Sequence, residues 1–193
     1  MNNGGDTTTV RVLGTPLSKY PTQVAWCTSD ANAYNNEIQS ITCSYEYNDS
    51  LGTYTFNGDK DGRDNLNQIA SFLEDDTYFE DKYPAFWAAK NYGSNMSGTE
   101  YQYDWYLPTD AELYEVYKFW KEGILDTIVT LITGNTFGIS DEQVLISSTQ
   151  QSGTGNEKNM IYVQFSSTAP YPIDDDDKTS TYCYICPIYQ FSN

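Results

Sequence analysis

Carboxylates are the groups through which this chain could do chemistry. It carries 27 Asp and Glu against 10 Lys and Arg, a formal charge of −17, and no histidine. Without histidine there is no Ser-His-Asp or Cys-His catalysis, no imidazole metal ligand and no ordinary general base near pH 7. Two acidic stretches stand out. "NGDKDGRDN" (Asn57–Asn65) places Asn57, Asp59 and Asp61 at positions 1, 3 and 5 of a calcium loop, with Gly62 at position 6. Position 12 is Gln68, where that motif needs a bidentate Glu. The plain alternative is a turn that feeds a helix. "PIDDDDKT" (Pro172–Thr179) sets four like charges in a row. They repel and extend, so the stretch reads as a solvated loop tip, with a divalent-cation or basic-partner site as the alternative. No spacing selects two carboxylates as the acid and base of a glycosidase. The expectation is a protein without catalytic residues or an organic cofactor, calcium at Asn57, Asp59 and Asp61 being the one metal the sequence suggests.

Tyrosine is the second unusual resource, with 18 in the chain. Tyr162, Tyr171, Tyr182, Tyr184 and Tyr189 fall in the last third, interleaved with Gln151, Ser152, Asn156 and Asn159. Rigid aromatics beside small adaptable polar groups make up antibody-like recognition surfaces. Tyrosines also simply fill strand faces. Both readings stand at this level.

The remaining composition narrows the class. Phosphate binding needs clustered Lys and Arg, so a nucleic-acid partner is not expected. No apolar run approaches the roughly 18 residues of a membrane span, so no membrane insertion is expected. The cysteines are Cys27, Cys43, Cys183 and Cys186. Cys183 and Cys186 have C-x-x-C spacing, but Pro187 follows and no helix begins there, which argues against a redox motif. They read as buried thiols, or as a Cys27–Cys43 disulfide in an exported protein.

These residues must be positioned by a single domain, residues 10–193, behind a polar, Gly-rich linker at residues 1–9. "TVRVLG", "TQVAWCTS" (Thr22–Ser29), "QSITCSYEYND" (Gln39–Asp49) and "LGTYTF" read as strands by alternation. A helix follows with Leu66, Ile69, Ala70 and Leu73 on one stripe and Asp64 as its cap. Another starts at Pro84 and stops at Gly93, the residue suited to a left-handed cap. Thr109 and Glu112 form a T-x-x-E capping box ahead of a stripe made by Leu113, Val116, Tyr117 and Trp120. "ILDTIVTLIT" (Ile124–Thr133) fits a short helix. "QVLISSTQ", "NMIYVQFS" and "STYCYICPIYQF" (Ser180–Phe191) read as strands, so the fold class is α+β.

The order of "DGRDNLNQI", "YPAFWAAKNYG", "DWYLPTDAELYEVY", "SSTQ" and "PIYQF" resembles the bacterial Lcl-type C-terminal domain over about Asp61 to Phe191. That resemblance implies a C-type-lectin-like fold of the formylglycine-generating-enzyme-like branch, with two to four helices around a small, mostly antiparallel sheet. The chain departs from the family pattern at Leu145 and Ile146, where an aromatic pair is usual, and at Cys186 and Tyr189, where arginines are usual. In relatives of this fold the C-terminal segment is the ligand-binding face, and in some lineages diversity-generating retroelements vary it. The resemblance implies an adhesin or receptor-binding module, exposed at a bacterial surface or on a phage particle. It would hold a protein or glycan ligand on another cell or surface. The expected contact residues are Leu145, Ile146, Gln151, Asn156, Asn159, Tyr162, Tyr171, Tyr182, Tyr184 and Tyr189. A fimbrial subunit contacting other pilus subunits is the alternative. The Glu-Pro-Asn and Gln-Pro-Asp signatures of calcium-dependent sugar lectins are absent.

Overall fold

The computed structural model describes residues 11–13, 23–70, 79–133, 138–168 and 171–190; the linker expected at 1–9 and Leu73 lie outside them. The architecture is α+β. Strands β2 (Thr42–Asn48), β3 (Thr53–Gly58), β5 (Gln143–Gln151), β6 (Asn159–Phe165) and β7 (Ile173–Asp177) form one sheet in the order β3-β2-β5-β6-β7. Every pairing in it is antiparallel except β2 with β5. A smaller antiparallel sheet joins β1 (Arg11–Leu13), β8 (Ile188–Gln190) and β4 (Trp105–Tyr106) in the order β1-β8-β4. The helices are α1 (Asn65–Ala70), α2 (Phe79–Lys82), α3 (Pro84–Lys90), α4 (Asp110–Lys121) and α5 (Ile124–Thr133).

The large sheet is covered on both faces. On β6, Ile161, Val163 and Phe165 are buried against Leu113, Val116 and Tyr117 of α4, which is the apolar stripe the sequence shows. The alternate residue Met160 packs the other way, with Trp26, Ile41, Phe86 and Ile146. Trp26 meets Phe86 edge-to-face, centroids 4.9 Å apart. A third cluster seats Trp105 between Tyr92 and Tyr189.

Several elements differ from expectation, each because a long-range contact overrides local pattern. Of the expected strand Thr22–Ser29, the described residues 23–29 form none; Val24 makes a lone bridge to Cys183, and the Cys27 N–H donates to the Lys178 carbonyl. Gln39–Ile41 is a 3-10 turn that precedes β2. Of the expected strand Ser180–Phe191, the described residues 180–190 hold only that bridge, a second between Leu145 and Tyr184, and the short β8. Gly93 does not take left-handed backbone. A Cβ there would run into the Tyr101 carbonyl and lie 2.8 Å from the Trp105 indole nitrogen, so glycine is needed for close approach. The aspartate run is a strand rather than a loop tip: β7 pairs along β6 from Asn159↔Asp177 to Val163↔Ile173. The four thiols are free and buried, Cys27 and Cys183 on one side of the sheet, Cys43 and Cys186 on the other.

Two polar ties fix the layers. The expected capping box is present: Thr109 Oγ1 accepts from the Glu112 N–H at 3.2 Å, and Glu112 Oε2 accepts from the Thr109 N–H at 2.9 Å. Glu112 also accepts from the Gly62 N–H at 3.1 Å and the Tyr106 hydroxyl at 3.0 Å. The turn before α1 is thereby docked on the start of α4. The second tie is Lys178, fully buried directly after β7. Its ammonium donates to the carbonyls of Ala33 (2.7 Å), Asn36 (3.3 Å) and Glu157 (2.5 Å) and lies 5.0 Å from the Trp26 ring centroid. Burial lowers its pKa to about 8.

Both ties are testable by chemical denaturation. In Gly62→Ala the new Cβ would sit 2.5 Å from the Leu107 carbonyl oxygen and 3.0 Å from the Thr109 nitrogen. We expect a loss of about 2 kcal/mol from overpacking. Lys178→Met removes the ammonium from the buried Ala33 carbonyl and from the part-buried Asn36 and Glu157 carbonyls, and we expect a loss of about 3 kcal/mol.

Candidate functional site

Two of the tyrosines picked out from the sequence, Tyr162 and Tyr182, meet on one face of the large sheet, and Tyr184 lines a cleft beside Tyr182. Tyr162 and Gln164 point away from the Ile161, Val163 and Phe165 face by strand alternation. After β7 the chain folds back over them. The Tyr182 hydroxyl donates to Asp176 at 2.7 Å, and the Tyr162 hydroxyl donates to Asp174 at 3.4 Å. Their rings stand edge-to-face with centroids 6.1 Å apart. Tyr184 runs along β5: its N–H donates to the Val144 carbonyl at 2.8 Å and its carbonyl accepts from Ile146 at 2.9 Å. Gln23 donates its amide to the Tyr182 carbonyl at 2.7 Å.

Beside these rings lies an open cleft of about 410 Å³, lined by Gln23, Tyr182 and Tyr184 with Val144, Asp141 and Glu142. Its acidic corner is held by neutral donors. Asp141 accepts from the Ser167 N–H at 2.7 Å and the Ser167 hydroxyl at 2.9 Å, which hold its carboxyl below the usual range. Glu142 accepts from Gln164 at 2.8 Å and from the Ser166 hydroxyl at 2.5 Å. Its φ of +65° is a strained backbone for a non-glycine residue. At Asp176, burial alone would raise the pKa; hydrogen bonds from Tyr182, the Asp177 amide and Ser180 outweigh it and hold the group below its ordinary value. Tyr182 is pushed up by burial and by that bond to Asp176.

The other expected contact residues are placed elsewhere. Leu145 and Ile146 are fully buried in opposite cores, so neither side chain meets a ligand. Tyr189 is buried against Trp105, its hydroxyl donating to the Glu100 carbonyl. Tyr171 is exposed but packs on Tyr47 of β2, centroids 5.1 Å apart, within an aromatic group that runs through Tyr54 to Tyr114 of α4. Asn156 donates to the Ser152 carbonyl and pins its own loop. Asn159 donates to Asp175 at 2.7 Å. Gln151 carries a buried carbonyl oxygen with no hydrogen-bond partner.

The calcium-loop residues are engaged in a turn. Asp59 accepts from the Asp61 N–H at 3.1 Å and from the Asn65 amide at 2.6 Å. Asp61 accepts from the Arg63 N–H and pairs with its guanidinium at 3.6 Å. Asn57 is an exposed residue of β3. Among the described residues no three Cys, Asp or Glu side chains converge as a metal would require.

Sequence reasoning missed Asp110, the first residue of α4. It is fully buried, and burial raises its pKa to about 7 against hydrogen bonds from the Ala111 amide, Thr149 and Cys43. One of its oxygens has no hydrogen-bond partner. An Asp just after a Thr cap is ordinary in sequence, and only the β5 strand laid across it reveals its burial. Its side chain is fully shielded from solvent. Searches against protein-family models, curated proteins and solved structures find no match for the chain. No helix among the described residues is long and apolar enough to cross a membrane.

Asp110 makes stability depend on pH. Its folded pKa lies above the unfolded value of 3.8. Between about pH 4 and pH 7 the unfolded chain therefore releases this proton first, and its contribution falls as pH rises through the folded pKa. Urea midpoints at pH 5 and pH 8 should show the wild type losing stability relative to Asp110→Asn, by up to about 3 kcal/mol. Equal losses in the two proteins would remove Asp110 as the cause.

Proposed function

We propose that this chain is a non-enzymatic recognition module of the adhesin or receptor-binding type. Its ligand, a protein or glycan, sits on the surface of Tyr162 and Tyr182 and in the adjoining cleft that Tyr182 and Tyr184 line. One observation carries the reading: tyrosines from two separate segments converge beside a polar cleft. Such rings offer contact area at low entropic cost, and flanking amides and hydroxyls adapt to polar partners. The sheet beneath them is packed on both faces, so the surface is pre-organised.

Hydrolysis is the weaker reading. A pair of carboxylates with separated pKa values would support it. Here the raised group, Asp110, is sealed in the interior, and Asp141 in the cleft is held ionised. The C-type-lectin-like identity rests on the order of the sequence motifs, together with the α+β architecture on which they fall. Exposure at a bacterial surface or on a phage particle, and diversification of the C-terminal segment, belong to the same proposal.

The test is binding of labelled protein to a glycan array and to a panel of purified surface polypeptides. Wild type should capture a ligand that Tyr162→Ala/Tyr182→Ala/Tyr184→Ala loses by tenfold or more (about 1.4 kcal/mol), with circular dichroism unchanged. Undiminished capture by the triple variant, or no capture by wild type in either panel, would count against the proposal.

A further inference from the structure

The cleft carries charge of one sign. Asp141 and Glu142 line it, and no Lys or Arg does. The ion pairs among the described residues involve Arg63, Lys82 and Lys118, all elsewhere. We propose that the cleft takes a cationic side chain, the guanidinium of Arg or the ammonium of Lys, presented by an extended basic polypeptide. This rests on the recognition reading above and names its ligand class.

Three features of the geometry lead there. The first is the cavity itself. At about 410 Å³ it is near the small end of ligand pockets, which span about 300–1,000 Å³, and suits one long side chain. The second is the state of its carboxylates. Both are oriented by neutral donors from Ser166, Ser167 and Gln164, which leave the negative charge uncompensated. A carboxylate offers about four acceptor sites, so each keeps capacity for an incoming N–H. The third is the aromatic wall. Tyr182 and Tyr184 border the same space, and a cation within about 6 Å of a ring centroid is attracted by its face. The aliphatic stem of Arg or Lys would lie along those rings.

The face beyond the cleft favours a polypeptide over a compact cation. Gln164 bonds to Glu142 at one end of the face, and Tyr162, next on that side of β6, bonds to Asp174. Asp176 follows, held by Tyr182. Asp174 and Asp176 are two residues apart on one strand, a spacing of about 7 Å. Alternate side chains of an extended peptide repeat at the same interval. One basic residue in the cleft thus leaves the next ones opposite further carboxylates. A neutral sugar would leave them all uncompensated.

The experiment titrates ¹⁵N-labelled protein with a peptide of alternating Arg and Ser. A matched peptide carries citrulline in place of Arg, with the same shape and no charge. The Arg peptide should shift the amides of Glu142, Val144, Tyr182 and Tyr184, and bind at least about tenfold more tightly than its citrulline partner. Its affinity should fall by about tenfold on raising salt from about 0.05 M to about 0.5 M. Asp141→Asn/Glu142→Gln should weaken it by about tenfold, and Asp61→Asn, in the turn before α1, should not. Equal binding of the two peptides, shifts confined to other surfaces, or no shift with either peptide overturns the proposal. A neutral glycan that binds the cleft and is lost in the tyrosine variant, with both peptides silent, sinks the cationic ligand and leaves the recognition reading standing.

Discussion

The carboxylate of Glu112 joins segments that are far apart in the chain. It is almost wholly buried, a position that costs a charged group dearly unless donors surround it. Here they come from three places: the Gly62 amide before α1, the Tyr106 hydroxyl on β4 and the Thr109 amide at the helix cap. Each donor fixes the distance of its own segment from α4. The effect extends to the sheet through the next residue pair, because the Asp110 amide and carboxylate both bond to Thr149 of β5. β5 in turn carries β6, and with it Tyr162. The brace and the sheet face that bears Tyr162 are thus parts of one connected polar framework.

Lys178 plays the complementary part at the other side. It is a cation inserted where two loops present three backbone carbonyls, and its charge lies against the Trp26 ring. Directly after β7, this residue turns the chain back over the sheet. That return places Tyr182 over Asp176 and beside Tyr162. A carboxylate buried at α4 and an ammonium buried after β7 therefore brace the same sheet at its central strand and at its rim, each satisfied mainly by neutral groups rather than by the other.

The helices and the central strands were legible because their signals are local. The Thr109–Glu112 box, Pro84 at a helix start and the alternation of Ile161, Val163 and Phe165 each depend on residues within a few positions. The strand made by Ile173–Asp177 was not legible. Four carboxylates in a row oppose strand formation by composition, and it is the ladder to β6, with Asn159, Tyr162 and Tyr34 donating to its side chains, that makes them a strand. Of the residues proposed to meet a ligand, Tyr162, Tyr182 and Tyr184 were found by type, yet type alone could not separate them from the buried Tyr189. Leu145 and Ile146 drew notice as departures from a family pattern, but a departure marks substitution and says nothing of exposure. The cleft's acidic corner went unseen because Asp141 and Glu142 gain their setting from Ser166 and Ser167, some twenty-five residues later.

The position of β7 at the rim of the five-stranded sheet has a colloidal consequence. A rim strand offers unpaired backbone groups to any neighbouring chain, the usual starting point for fibre growth. This one presents consecutive aspartates, so a second copy arriving rim to rim would bring like charges together at every register. The strand that looks least suited to a sheet is the one that lets the sheet end there. Pairing of two copies rim to rim through β7 is therefore disfavoured by charge.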